Sequence, residues 1–256
     1  MPRPKAGTTA IILSALAAIL SALALLFATG TFNAGRSFSD DFGTQAREFL
    51  IENPEIIVEA LQGMEQRRQA AAATELQTVI ADRRAQIFDD PDDPVGGNPE
   101  GEVTLVEFFD YNCPYCRKAM PIMQQALEAD PALKFVYKEW PILGPGSEFA
   151  ARAALASVRQ NKYQGFHQAL MAYSGSISES STLAIVEQVG LDIDRLKQDM
   201  NDPAISAAIE RNKALADALR ITGTPAFVVG DDIIRGLVDL ETLQQFIAET
   251  RDGAKG

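Results

Sequence analysis

Sulfur and imidazole are scarce in this chain: its 256 residues include two cysteines, one histidine and one tryptophan. Two cysteines cannot make a disulfide scaffold. With His167 as the single histidine, a tetrahedral zinc site built from Cys and His cannot be assembled, and no metal is expected. Basic residues are also the minority, 23 Lys and Arg against 35 Asp and Glu, for a formal net charge of −12. No basic stripe with interleaved aromatics occurs, so nucleic acid is not an expected partner. Charge is missing altogether from residues 6–35. What remains is ordinary globular composition, 46% hydrophobic and 23% charged, with room for one domain plus extras.

The uncharged stretch sets the compartment. Arg3 and Lys5 precede it, and its apolar core, residues 10–28, is long enough at ~1.5 Å per residue to cross a ~30 Å hydrocarbon layer. Positive charge on the leading side keeps the N-terminus cytoplasmic and exports the remainder of the chain. Residues 1–36 therefore read as a signal-anchor helix in the inner membrane, or as a signal peptide cleaved near Ala28-Thr29-Gly30. The length of the apolar core favours the anchor. Either reading makes the rest periplasmic, where a dithiol performs disulfide chemistry.

Both cysteines lie in Val103-Thr104-Leu105-Val106-Glu107-Phe108-Phe109-Asp110-Tyr111-Asn112-Cys113-Pro114-Tyr115-Cys116. Residues 103–109 are mostly β-branched or aromatic and predict a buried strand, and residues 117–120 have helical composition. Cys113 thus stands where a strand ends and a helix begins. The first N–H groups of a helix lack intrahelical partners and carry the positive end of its dipole, which stabilises a thiolate and lowers its pKa. Cys116 is within reach to close a disulfide. A structural bridge across two residues would close almost no loop, so the pair reads as a redox centre.

Around this stretch the pattern is mostly helical. Residues 37–88 carry an apolar stripe of Phe42, Ala46, Phe49 and Leu50, then Ile57, Ala60, Leu61 and Met64, with Asn53-Pro54 starting a new helix. From Glu65 to Arg84 the only sizeable apolar residues are Leu76, Val79 and Ile80, with Ile87 just after. The stripe is too thin to make a core, so residues 37–90 are expected to serve as a spacer, to pack on the main domain, or to self-associate. Residues 89–101, rich in proline and glycine, read as a linker or irregular loop. Pro121 should kink the helix after the cysteines, and residues 133–140 form a second strand parallel to the first. Four or five helices follow within about 145–220. Two short strands around Gly230-Asp231-Asp232 then make an antiparallel hairpin, and Asp239 caps a last helix. A lone histidine on a helix is usually a packing residue, and His167 is given no role.

A β-α-β unit bearing Cys-x-x-Cys, a helical insertion, then Thr224-Pro225 opening a hairpin and a final helix resembles the DsbA-like branch of the thioredoxin superfamily over residues 87–251. The resemblance implies an α/β thioredoxin fold over residues 91–256 with an inserted helical subdomain, preceded by a helical segment and the export or anchor segment. It implies that Pro225 is cis and lies against the sulfurs, so that Thr224 can pair with an extended substrate beside Pro114 and Tyr115. It also implies a role for Glu107. A carboxylate in an apolar strand is costly unless paired or protonated, and burial raises its pKa, which suits it to exchange a proton with Cys116. Lys138 on the neighbouring strand is its candidate partner.

The Tyr-Asn-Cys-Pro-Tyr-Cys wording and the Glu-Asn-Pro-Glu segment before it further resemble the ScsC-like suppressors of copper sensitivity, in which the N-terminal segment supports oligomerisation. Strongly oxidising members carry His where this chain has Tyr115, so a less oxidising couple is expected. The expected activity is thiol–disulfide exchange without a cofactor, Cys113 attacking and Cys116 resolving. Its partners are protein thiols and disulfides, a membrane redox protein and copies of itself through residues 37–88. The alternative is a Cu(I)-binding module, since two soft thiolates suit that ion; Met120 and Met123 are its only further sulfur ligands nearby and read as core residues.

Overall fold

A computed structural model of the chain describes residues 20, 21, 25 and 34–253, with side chains from 42 onward apart from 20, 21 and 25. The expected membrane segment, residues 10–28, lies outside the described residues except at those three positions. Among the described residues no helix is long and apolar enough to cross a membrane. The chain divides into two compact units, Met1–Ala70 and Ala71–Gly256.

The first unit contains α1 (Ala34–Glu52) and the start of α2 (Glu55–Asp82). Asn53 ends α1 by returning its side-chain amide to the Phe49 carbonyl at 2.8 Å, and Pro54 follows with no N–H to satisfy. The apolar stripe is present but uncovered: Phe42, Phe49, Ile51, Ile57, Val58, Leu61 and Met64 are all exposed.

In the second unit a five-stranded sheet runs in the order β1-β3-β2-β4-β5. The strands are β1 (Val95–Gly97), β2 (Val103–Phe109), β3 (Leu133–Glu139), β4 (Ala226–Val229) and β5 (Asp232–Arg235). β2 and β3 are parallel, joined through α4 (Pro114–Ala129), which continues through Pro121. β4 pairs antiparallel with both β2 and β5. The insertion supplies α5 (Pro145–Ser157), α6 (Tyr163–Ala172), α7 (Glu179–Gln188), α8 (Ile193–Asp199) and α9 (Pro203–Ala218); α10 (Leu240–Gly253) closes the chain. Asp202 and Asp239 cap α9 and α10 by accepting from Ala204 and Thr242 N–H groups at 2.8 Å.

Alternation along the strands gives the sheet two apolar faces. Val103, Leu105, Phe109, Leu133, Phe135, Tyr137, Phe227 and Val229 face α4 and most of the inserted helices. Val106, Phe108, Val136, Trp140, Ala226 and Val228 face the other way, onto Leu215, Leu219 and Ile221. Ile80, Ile87 and Phe88 are buried in this second layer, the last two on the short α3 (Arg84–Phe88). The compact domain therefore takes in residues ahead of the expected start at 91, because these side chains close one face of the sheet.

The expected linker is also partly ordered as sheet. Val95–Gly97 pairs antiparallel with β3, Gly96 standing opposite Phe135. At Gly97, whose φ is +65°, a Cβ would lie 2.4 Å from the Leu133 carbonyl oxygen, which is fixed in the sheet, so glycine is required there. A glycine that reads as loop is what lets the strand dock.

Candidate active site

β2 ends at Phe109 and α4 begins at Pro114, and the four residues between them place Cys113 at the N-cap. Cys113 has extended backbone (φ −76°, ψ 117°), and Pro114 opens the helix with its fixed φ. Both cysteines are free thiols. As a thiol, Cys113 Sγ donates to the Thr224 carbonyl at 3.2 Å, which brings together residues 111 positions apart. The Thr224–Pro225 peptide is cis.

The environment favours the Cys113 thiolate. A hydrogen bond from the Cys116 thiol is the largest influence, followed after opposing desolvation by the Thr224 side chain and the N–H groups of Cys116 and Tyr115; together they lower its pKa to about 5. Cys116, fully buried behind it, is shifted in the opposite direction by burial, by its bond to Cys113 and by the field of Glu107. One sulfur is held ready to ionise and the other is held as a thiol.

Glu107 sits on the same sheet face as the sulfurs. It is 3% exposed, and Oε1 has no hydrogen-bond partner. Burial, reinforced by the Cys113 charge, raises its pKa to about 8, so it is a neutral acid near neutral pH. The expected pairing with Lys138 does not occur. Glu107 stands beside Tyr137 and Phe227, whereas Lys138 stands beside Phe108 and points to the opposite face. There Lys138, itself fully buried, is ion-paired to buried Asp93 and donates to the Gln86 carbonyl. Glu107 is thus left without a counter-ion, and Lys138 instead joins the start of the domain to β3.

Tyr115, between the sulfurs in sequence, is 56% exposed, with Lys118 Nζ 5.7 Å from its ring centroid. Met123 is in the core and Met120 packs against it. Among the described residues no group of three or more His, Cys, Asp or Glu is placed to hold a metal ion.

Residues 104–248 match the family model of the DSBA-like thioredoxin domain. The chain belongs to this family. Residues 40–71 match a second model, the copper resistance protein ScsC N-terminal domain. Among solved structures, a thioredoxin-like oxidoreductase from Silicibacter pomeroyi is 52% identical at a TM-score of 0.65, covering 66% of this chain and 98% of that one. The catalytic domain of Proteus mirabilis ScsC is 26% identical at 0.64, covering 69% and 98%. Among curated proteins, the Na(+)/H(+) antiporter NhaA 3 of Salinispora tropica is 31% identical over 157 residues, 60% of this chain and 24% of that protein. The chain spans about a quarter of the length of these antiporter relatives.

Three polar residues to which the sequence assigned no role, Asp110, Asn112 and Arg117, hold the active-site turn to the helical insertion. Asp110 is 1% exposed and accepts four hydrogen bonds, from the N–H groups of Asn112, Ile142 and Leu143 and from Ser147 Oγ, at 2.7–2.9 Å. The Asn112 amide pairs with the Ile177 backbone, accepting from its N–H at 2.7 Å and donating to its carbonyl at 3.0 Å. Arg117 bridges the Tyr111 and Gly175 carbonyls, both at 2.9 Å. Their signal in the sequence was polarity directly after an apolar strand, where a turn alone would need less of it. His167 is a packing residue: it is buried, held neutral with its pKa lowered to about 3, and stacked on Tyr163.

Proposed function

We propose that this protein is an exported thiol–disulfide oxidoreductase acting on protein substrates, with Cys113 as nucleophile and Cys116 as resolving thiol. The observation that carries the reading is the opposed pair of sulfurs at the N-cap of α4, one favoured as thiolate and the other held as thiol. The Cys113 thiolate attacks a substrate disulfide; its Sγ bonds one substrate sulfur and the other leaves as thiolate. Forming the mixed disulfide removes the Cys113 charge that helps keep Glu107 protonated, so Glu107 can release its proton; Cys116 then passes its own proton to the Glu107 carboxylate and attacks Cys113 Sγ, closing the Cys113–Cys116 bond and releasing the second substrate thiolate. Run backwards, the same steps oxidise a substrate dithiol. The orphan oxygen of Glu107 and a pKa of about 8 support its place as the proton carrier. Thr224 and Pro225 hold the substrate strand beside Pro114 and Tyr115, a role supported by the Thr224 carbonyl at Cys113 Sγ.

In the periplasm a membrane redox partner resets the pair, and the absence of histidine at Tyr115 favours shuffling or reduction over strong oxidation. The uncovered apolar stripe from Phe42 to Met64 and the match of residues 40–71 support self-association through residues 37–88. Insulin reduction and adduct trapping test the core of this reading. Cys113→Ser is expected to abolish exchange, because no other sulfur can attack. Cys116→Ala is expected to accumulate reducible mixed disulfides with substrates. Equal adduct levels in the two variants would overturn the assignment.

A further inference from the structure

A cleft beside the nucleophile plays no part in the exchange steps. Thr222, Gly223, Thr224, Pro225, Arg235 and Gly236 line an open cleft of about 260 Å³. One of its walls is Thr224, whose carbonyl touches Cys113 Sγ. Strand pairing sets Arg235 opposite Ala226, and the Gly236 N–H donates to the Pro225 carbonyl at 2.9 Å, so Arg235 is anchored to the segment that bears Pro225.

The guanidinium of Arg235 is exposed, and its two hydrogen bonds, from Nη2 to the Leu219 and Arg220 carbonyls, are both long at 3.5 Å. Among the described residues no carboxylate lies within 4.0 Å of it. The neighbouring Arg220 is paired to Glu75, and Arg211 and Arg251 are each paired to acidic residues. Arg235 differs from the other arginines without a carboxylate partner in lining the cleft along Thr224–Pro225, where its donors can meet a bound chain. Its planar fork of donors fits one class of ligand best, a carboxylate taken bidentately.

We propose that Arg235 is a specificity-determining residue, and that this cleft receives an acidic side chain of the substrate strand next to the cysteine under attack. The inference rests on the exchange reading, since it needs a peptide held along Thr224. Successive side chains of an extended peptide project to opposite sides, so a residue flanking the attacked cysteine reaches the cleft wall while the sulfur faces Cys113. The glycines and Thr222 leave that wall open to a side chain of glutamate size.

The test uses short extended peptides, each carrying one cysteine in a disulfide to a chromophoric thiol, with Glu, Gln or Lys beside it. Exchange rates are measured with the whole reduced protein, with Arg235→Gln and with Arg235→Lys. At low ionic strength the wild type is expected to prefer Glu over Gln by about 2- to 5-fold, the scale of one solvent-exposed ion pair. The ratio should fall towards one at molar salt, and Lys should be the poorest of the three. Arg235→Gln should bring the Glu-to-Gln ratio to one, and Arg235→Lys should leave it intermediate. Because the readout is a ratio of rates on one preparation, partial loss of folded protein does not disturb it. Equal Glu and Gln rates in the wild type, or a preference that survives in Arg235→Gln, would overturn the subsite alone. Absence of exchange with every peptide would overturn the oxidoreductase reading beneath it.

Discussion

Replacing Glu107 by glutamine keeps the shape of the side chain and removes its proton, and the structure sets the size of the response. In the folded chain the Glu107 pKa is raised from 4.5 to about 8 by burial and the Cys113 charge. Between these values the native state holds a proton that the unfolded chain has released, so folding takes up a proton and stability falls as pH rises. The loss is about 1.4 kcal/mol per pH unit, complete near pH 8, and about 3 kcal/mol at pH 7. Glutamine is neutral throughout and escapes it. Its amide is also left without a partner, which costs about 1–3 kcal/mol, but that cost does not change with pH. The Cys113 thiolate adds its own pH dependence, equally in both proteins, and cancels in the difference. Urea unfolding of the reduced proteins, followed by the fluorescence of buried Trp140, should therefore show Glu107→Gln gaining on the wild type by about 4 kcal/mol between pH 5 and pH 8. The same substitution should slow closure of the Cys113–Cys116 bond by about 10²-fold, the usual contribution of a positioned proton carrier. Parallel stability curves would show that Glu107 is not a buried acid held protonated. A normal closure rate would remove it from the mechanism.

The opposite face of the sheet gives two further expected outcomes. Lys138→Met should destabilise the domain by about 3–5 kcal/mol at neutral pH, because buried Asp93 loses its partner, and adding Asp93→Leu should recover most of that in urea titrations. A fragment spanning 71–256 should melt like the domain of the whole chain. One starting at 91 loses Ile80, Ile87 and Phe88, at about 1.5–3 kcal/mol each, and should show no cooperative transition by circular dichroism.

The placing of the cysteine pair between a strand and a helix start was legible in the sequence because its information is local. A strand, a two-residue spacing between cysteines and a helix start all fall within fourteen residues, and the same local logic located the hairpin and the last helix. The pairing of Glu107 was not legible, because it depends on register. Both Glu107 and Lys138 sit in apolar strands, but with Glu107 level with Tyr137 the pleat sends the two charges to opposite faces. The docking of 80–88 was hidden for a related reason. Ile80 on α2 and Ile87 and Phe88 on α3 carry no sign of the sheet face they will cover. β1 escaped notice because its composition is that of a loop, and only the open edge of β3 gives Val95–Gly97 a partner. Asp110, Asn112 and Arg117 were visible as polar residues, yet most of their partners lie 32 to 65 positions away.

Any free row of strand N–H and C=O groups is a template for aggregation, a hazard that would matter most for a protein acting, as proposed, on partly unfolded chains. Both borders of this sheet are blunted. On one side β1 offers three residues and ends at Gly97, whose φ of +65° turns the chain away. On the other, β5 offers four residues with Asp232 at one end and Arg235 at the other, both exposed. Neither border is long or apolar enough to recruit a misfolded segment. Under the proposed function, backbone pairing is left to the short stretch at Thr224, next to the sulfur that would release what it captures, so a client chain would be held without being incorporated.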